Sequence, residues 1–137
     1  YRKNEPRAAL HHLDVVLQIE LGAAGALNEV VIDAHRARAW SYRSLGATEH
    51  AIEILEKLIR EVTATGMHAH VARIHRDLYE TYKLANNLAS ALRHHEIAAS
   101  LEMRQQRDRI AQQLQVIKAR EKSERLFVPY LVQYGQA

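Results

Sequence analysis

Three short segments of this chain repeat one pattern at a nearly constant spacing. Each begins with alanine followed by a branched apolar residue, and the segments are 9–13, 51–55 and 91–95. Five residues before each alanine stands a residue that tolerates a left-handed backbone: Asn4, Gly46 or Asn86. The alanines lie 42 and 40 residues apart. Self-similarity at this period predicts a solenoid of stacked helical hairpins, a class in which binding is a commoner role than catalysis.

The composition agrees with an all-α fold. The 137 residues suffice for one domain, and 47% of them are hydrophobic while only 6% are aromatic. Five glycines and two prolines are too few for the many turns of a sandwich or barrel. The absence of cysteine excludes disulfides and thiolate metal sites and is compatible with the cytoplasm. No apolar run approaches the roughly 20 residues that cross a bilayer, so we expect no membrane contact.

Apolar residues at helical spacing predict five helices. We expect the first four at 6–21, 27–45, 48–65 and 67–85, with Gly46, Gly66 and the pair Asn86–Asn87 in the turns between them. Thr48 is the expected cap of the third helix. The fifth helix should run from Leu88 to about Phe127, because Pro129 opposes its continuation. We therefore expect hairpin units at about 1–22, 26–65 and 67–103, an extension at 104–126, and an apolar tail at 127–137.

The extension carries the pattern of a coiled coil. Ile110, Leu114 and Ile117 are spaced four and then three residues apart, which forms a heptad-like seam. Glu121 and Glu124 interrupt that seam further along. We expect Ile110, Leu114 and Ile117 to form a homodimer contact; a solvated single helix, or one folded back on the repeats, is the alternative.

The helical pairs resemble tetratricopeptide repeats. In the family's 34-residue pattern Ala39, Tyr42, Gly46 and Ala51 stand at positions 8, 11, 15 and 20, and Tyr82, Asn86, Ala91 and Ala98 stand at positions 11, 15, 20 and 27 of the next unit. Tyr79 and Leu58 depart from the pattern because they replace small residues. The resemblance implies about two and a half hairpins and a long C-terminal helix. Since Asn4 belongs to a hairpin cut at Tyr1, we expect the array to continue upstream.

The resemblance also implies a concave groove lined by the first helix of each hairpin. The groove residues of the family correspond here to Asp33, Arg36, Trp40, Arg43, Ser44, Arg73, Arg76, Glu80, Lys83 and Leu84. Basic side chains predominate among them, and the formal charge of the chain is +3, so a protein or peptide partner of acidic character is expected. An exposed tryptophan beside arginines is a plausible peptide anchor. Alternatively, Trp40 packs between repeats and the arginines are solvated.

Residues 74–126 are similar to the last repeat and exit helix found upstream of output domains in bacterial regulators, among them diguanylate cyclases, histidine kinases and adenylate cyclases. That resemblance implies a non-catalytic interaction or sensor module of a cytoplasmic signal-transduction protein. No catalytic residue and no cofactor is predicted. The chain shows no phosphate-binding glycine loop and no Gly-x-Ser-x-Gly motif.

Two other classes of function stay open. A nucleic-acid-binding helix could use the arginines of residues 104–125, although the acidic residues between them, such as Asp108 and Glu121, argue against it. A metal-dependent enzyme could use the nine histidines. However, His68, His70 and His75 lack the i, i+4 spacing with which one helix face holds zinc. A pH-sensing role for histidine is also open.

Overall fold

The computed structural model describes the backbone of residues 5–24 and 27–134, and the side chains of residues 5–20 and 27–129. Five α-helices follow one another: α1 (Glu5–Ala24), α2 (Glu29–Ser44), α3 (Thr48–Thr65), α4 (Val71–Leu84) and α5 (Leu88–Tyr134). A 3₁₀ turn at His68–His70 precedes α4. Within the described ranges there is no β-strand, so the predicted all-α class is confirmed.

The predicted turn residues adopt the left-handed backbone. The φ angles of Gly46, Gly66 and Asn86 are 86°, 75° and 58°. After α2 the amide of Ala47 donates to the carbonyl of Tyr42 at 2.8 Å, and after α4 the amide of Asn87 donates to the carbonyl of Tyr82 at 3.0 Å. The same turn therefore closes both helices, 40 residues apart. Asn4 lies outside the described residues.

Two predicted helix boundaries were wrong. Thr48 does not cap α3, because Ala47 occupies the capping position without a side-chain hydrogen bond and Thr48 is the first helical residue. Helix α5 does not end near Phe127 but passes through Pro129 to Tyr134. A proline removes one backbone hydrogen bond from a helix and need not end it. Pro129 is exposed, so water can solvate the carbonyl that loses its partner.

Each of the first four helices packs against its neighbours in the chain, and α2 also contacts α4. The main core lies between α2, α3 and α4 and is made by aliphatic side chains, among them Ile32, Leu55, Leu58, Ile74 and Leu78. A smaller core joins α1 to α2 through Leu17, Val31 and Ala34. This arrangement sets α2 beside α4, and those two helices carry most of the predicted groove residues.

The chain divides into two compact units, residues 1–100 and 101–137. The buried side chains described above all belong to the first unit. Every described side chain of the second unit from Glu102 to Pro129 is exposed. No helix among the described residues is both long and apolar enough to span a lipid bilayer.

Candidate interaction surfaces

Helices α2 and α4 are internal copies of one another. His35, Arg36 and Tyr42 in α2 recur 40 residues later as His75, Arg76 and Tyr82 in α4. The hydroxyl residues Ser41 and Thr81, also 40 apart, are both 1% exposed. Equivalent positions in the two helices therefore have equivalent surroundings. This spacing allows each position of one repeat to be compared with its counterpart in the other.

An ion pair joins the two copies at the predicted groove. Nε of Arg36 donates to Oδ2 of Asp77 at 2.6 Å, and Nη2 donates to Oδ1 at 3.3 Å. Both side chains are about three-quarters buried, and Asp33 lies 3.9 Å from the same guanidinium. The hydrogen bond from Asp77 raises the pKa of Arg36 further above its ordinary value. A bidentate pair of this kind holds the guanidinium in one orientation.

Asp77 was missed by the sequence analysis. Its counterpart in α2 is Ala37, and the two partners of the ion pair lie 41 residues apart in the chain. The only signal that could have found it is an acidic residue that appears in one copy of the repeat and not in the other.

The remaining predicted groove residues differ in exposure. Trp40 is 37% exposed, and Asp33, Arg73, Glu80 and Lys83 are exposed, whereas Arg43 and Arg76 are half-buried. Nη1 of Arg76 lies 3.1 Å from Nδ1 of His95 in α5, and Nζ of Lys83 lies 5.4 Å from the ring centre of Tyr79. Among these predicted residues, Arg36 is thus the one that the structure ties directly from α2 to α4.

Trp40 borders a pocket between α1 and α2. The pocket has a volume of about 440 Å³ and is also lined by Ala9, Leu13, Ala37 and Ser41. Trp40 is therefore neither fully exposed nor enclosed between repeats. The hydroxyl of Ser41 is buried and finds no hydrogen-bond partner among the described residues.

A polar cluster that sequence reasoning did not identify lies where α3, α4 and α5 meet. Nδ1 of His75 is 2.9 Å from Nδ1 of His94, whose side chain is almost fully buried. The hydroxyl of Tyr82 donates to Oε1 of Glu56 at 2.9 Å, and the ring of Tyr82 stacks on His94. We call His75, His94, Glu56 and Tyr82 the histidine cluster.

Burial governs ionisation in the histidine cluster. Desolvation lowers the pKa of His94, although Glu56 opposes that shift. Desolvation and the neighbouring His94 lower the pKa of His75. Nε2 of His94 is 3.4 Å from Oε1 of Glu56, but the geometry leaves this buried nitrogen without a hydrogen bond in the described structure. Both imidazoles are consequently biased toward the neutral form.

The described residues contain no group of three or more histidine or carboxylate side chains placed to hold a metal ion. In the histidine cluster the two nearest ring nitrogens face each other, so they bond to one another rather than converge on a common point.

The predicted seam residues lie on the exposed part of α5. Ile110, Leu114 and Ile117 are 48%, 50% and 51% exposed. Side chains at this spacing share one face of the helix. The second unit, taken by itself, therefore presents an apolar strip that no described residue of that unit covers.

Comparisons with protein-family models, with curated proteins and with solved structures find no match to this chain. The repeat equivalences within the molecule and the geometry of its surfaces therefore carry the functional argument.

Proposed function

We propose that this chain is a tetratricopeptide-like interaction module of a bacterial signal-transduction protein in the cytoplasm. It binds an acidic segment of a partner protein along α2 and α4, and it dimerises through α5. The module needs no cofactor and catalyses no reaction. The observation that carries the proposal is the repeated pair of helices α2 and α4, joined by the Arg36–Asp77 ion pair.

The charges along α2 and α4 favour an acidic partner. Arg36 is already neutralised by Asp77 and Asp33. Arg43, Arg73 and Lys83 make no ion pair with any residue that the structure describes. A carboxylate-rich segment could pair with these cations without first breaking a bond within the protein. Such contacts add specificity and speed of association more than affinity, so we expect salt-sensitive binding.

The proposal is tested with synthetic 12-residue peptides that each contain one aromatic residue and range from neutral to rich in aspartate and glutamate. Fluorescence anisotropy should show affinity that rises with peptide charge and falls with added salt. The double variant Arg73→Glu/Lys83→Glu, which changes two exposed residues of α4, should weaken binding at least about tenfold, because like charges then face the peptide.

The matched control is Arg104→Glu/Lys118→Glu, which changes the net charge equally but in the second unit. It should bind the acidic peptides as the unmodified protein does. Equal losses in both variants would show that only net charge matters, and absence of binding would refute the proposed groove. Tighter binding to duplex DNA, lost in the control variant alone, would support the basic-helix alternative instead.

A further inference from the structure

One face of α1 is more apolar and more exposed than a helix in a packed repeat should be. Val15 and Ile19 are 43% and 63% exposed. Ala9 and Leu13, which border the pocket between α1 and α2, are only half-buried. Exposed apolar side chains that adjoin a pocket mark a surface suited to another protein element.

The internal repeat shows what covers the corresponding face elsewhere in the molecule. Residues 9, 13 and 16 of α1 correspond, 42 positions on, to Ala51, Leu55 and Leu58 of α3. These three residues are at most 1% exposed. They lie in the same core cluster as Ile32 and Ala39 of α2. Helix α2 thus covers on α3 a face that the described residues leave partly open on α1.

The correspondence extends to the second wall of the pocket. Helix α2 reaches α4 through the Arg36–Asp77 ion pair. The counterpart of Asp77 is Ala37, which lines the pocket. The pocket between α1 and α2 is therefore the place that α2 itself fills between α3 and α4.

The outer edge of this face is more apolar on α1 than on α3. Val15 and Ile19 correspond to Lys57 and Glu61. Lys57 and Glu61 line a small crevice beside His35 and Arg38 of α2, so this edge faces the covering helix. Where α3 meets its cover with charges, α1 offers two aliphatic side chains. That difference favours an apolar occupant.

We propose that α1 and α2 together form a docking site, separate from the α2–α4 groove, for an amphipathic helix of a partner protein. The helix takes the position that α2 has over α3 and α4. It carries a small residue opposite Ala9, as α2 carries Ala39 near Ala51, and aliphatic residues toward Leu13. At the place of Arg36 it carries a neutral residue, because Ala37 offers no carboxylate.

The probe for this site is a synthetic peptide of residues 28–45, the segment that contains α2, with Arg36→Ala and Trp40→Phe. The first change removes the charge that would face Ala37, and the second leaves Trp40 of the protein as the only tryptophan present. Because Trp40 lines the pocket, its emission should shift as the peptide binds. The same peptide with Arg36 retained should bind at least about threefold more weakly, since its guanidinium meets no carboxylate.

The variant Ala9→Glu places a charge at the point of closest helix approach and should weaken peptide binding at least about tenfold. Ala111→Glu, on the exposed part of α5, is the matched control and should not change it. Arg73→Glu/Lys83→Glu should also leave this peptide's affinity unchanged, which separates the docking site from the proposed groove.

Three results would overturn the inference. The first is no change in emission up to millimolar peptide. The second is equal binding by the Ala9→Glu and Ala111→Glu variants. The third is self-association of the unmodified protein that Ala9→Glu abolishes, because a second copy would then occupy the face.

Discussion

His75 and His94 face each other with their Nδ1 atoms 2.9 Å apart, so one nitrogen must donate and the other accept. Two imidazolium rings would direct two N–H groups at each other. Glu56 faces this pair from α3, Tyr82 from α4, and Arg93 and His95 neighbour His94 on α5. Only Glu56 favours the charged form of His94, and burial outweighs it.

The histidine cluster should make the protein less stable in acid. The folded-state pKa values of His75 and His94 lie below the unfolded value near 6.5, so the unfolded chain binds more protons between these values. Stability should be fully present above about pH 6.5 and should fall as the pH drops through the lowered pKa values. Thermal unfolding at pH 7.5 and at pH 5 measures the difference.

The variant His94→Ile, which places there the type of residue found 40 positions earlier at Ile54, should lose less stability between the two pH values. His68→Ala, at an exposed position, should behave as the unmodified protein does. An equal acid-dependent loss in all three proteins would show that the histidine cluster is not the source.

At the scale of the element, α5 serves two environments. Ala91, His94 and Ala98 are buried in the first unit, whereas the side chains beyond Leu101 that are described are exposed. A solvated helix needs no apolar strip, and Ile110, Leu114 and Ile117 form one. This strip is the basis for the expected dimer.

Leu114→Glu should abolish that dimer, because a carboxylate at the seam would meet its own copy across the interface. Light scattering at several protein concentrations measures the mass. Val116→Glu is the matched control, since Val116 is 60% exposed on α5 but lies off the seam. A monomer in the unmodified protein at high concentration, or equal effects of the two changes, would refute the seam.

At the scale of the whole molecule, stability should reside in the first unit. Every side chain found buried among the described residues lies between Pro6 and Ala98. A chain of residues 1–103 should therefore unfold in urea as one cooperative transition, with a midpoint close to that of the full chain. The shorter chain should also be monomeric. A noncooperative transition, or a greatly lowered midpoint, would mean that residues 104–137 support the fold.

The sequence by itself was sufficient for the all-α class, the number of helices and most of the turns. These features depend on local causes: apolar residues recurring at helical spacing, and the freedom of Gly46, Gly66 and Asn86 to adopt a left-handed backbone. It failed locally at Thr48 and Pro129, where a preference of residue type did not decide the helix boundary.

Only the tertiary structure decided which polar side chains meet. Arg36 and Asp77 are 41 residues apart, Tyr82 and Glu56 are 26 apart, and His75 and His94 are 19 apart. Glu56 shows the difference: its neighbours in the chain suggest a surface pair with Lys57 or Arg60, yet it accepts a hydrogen bond from Tyr82. A side chain's partner depends on how neighbouring helices pack, and that packing is set by contacts distant in the chain rather than by local sequence.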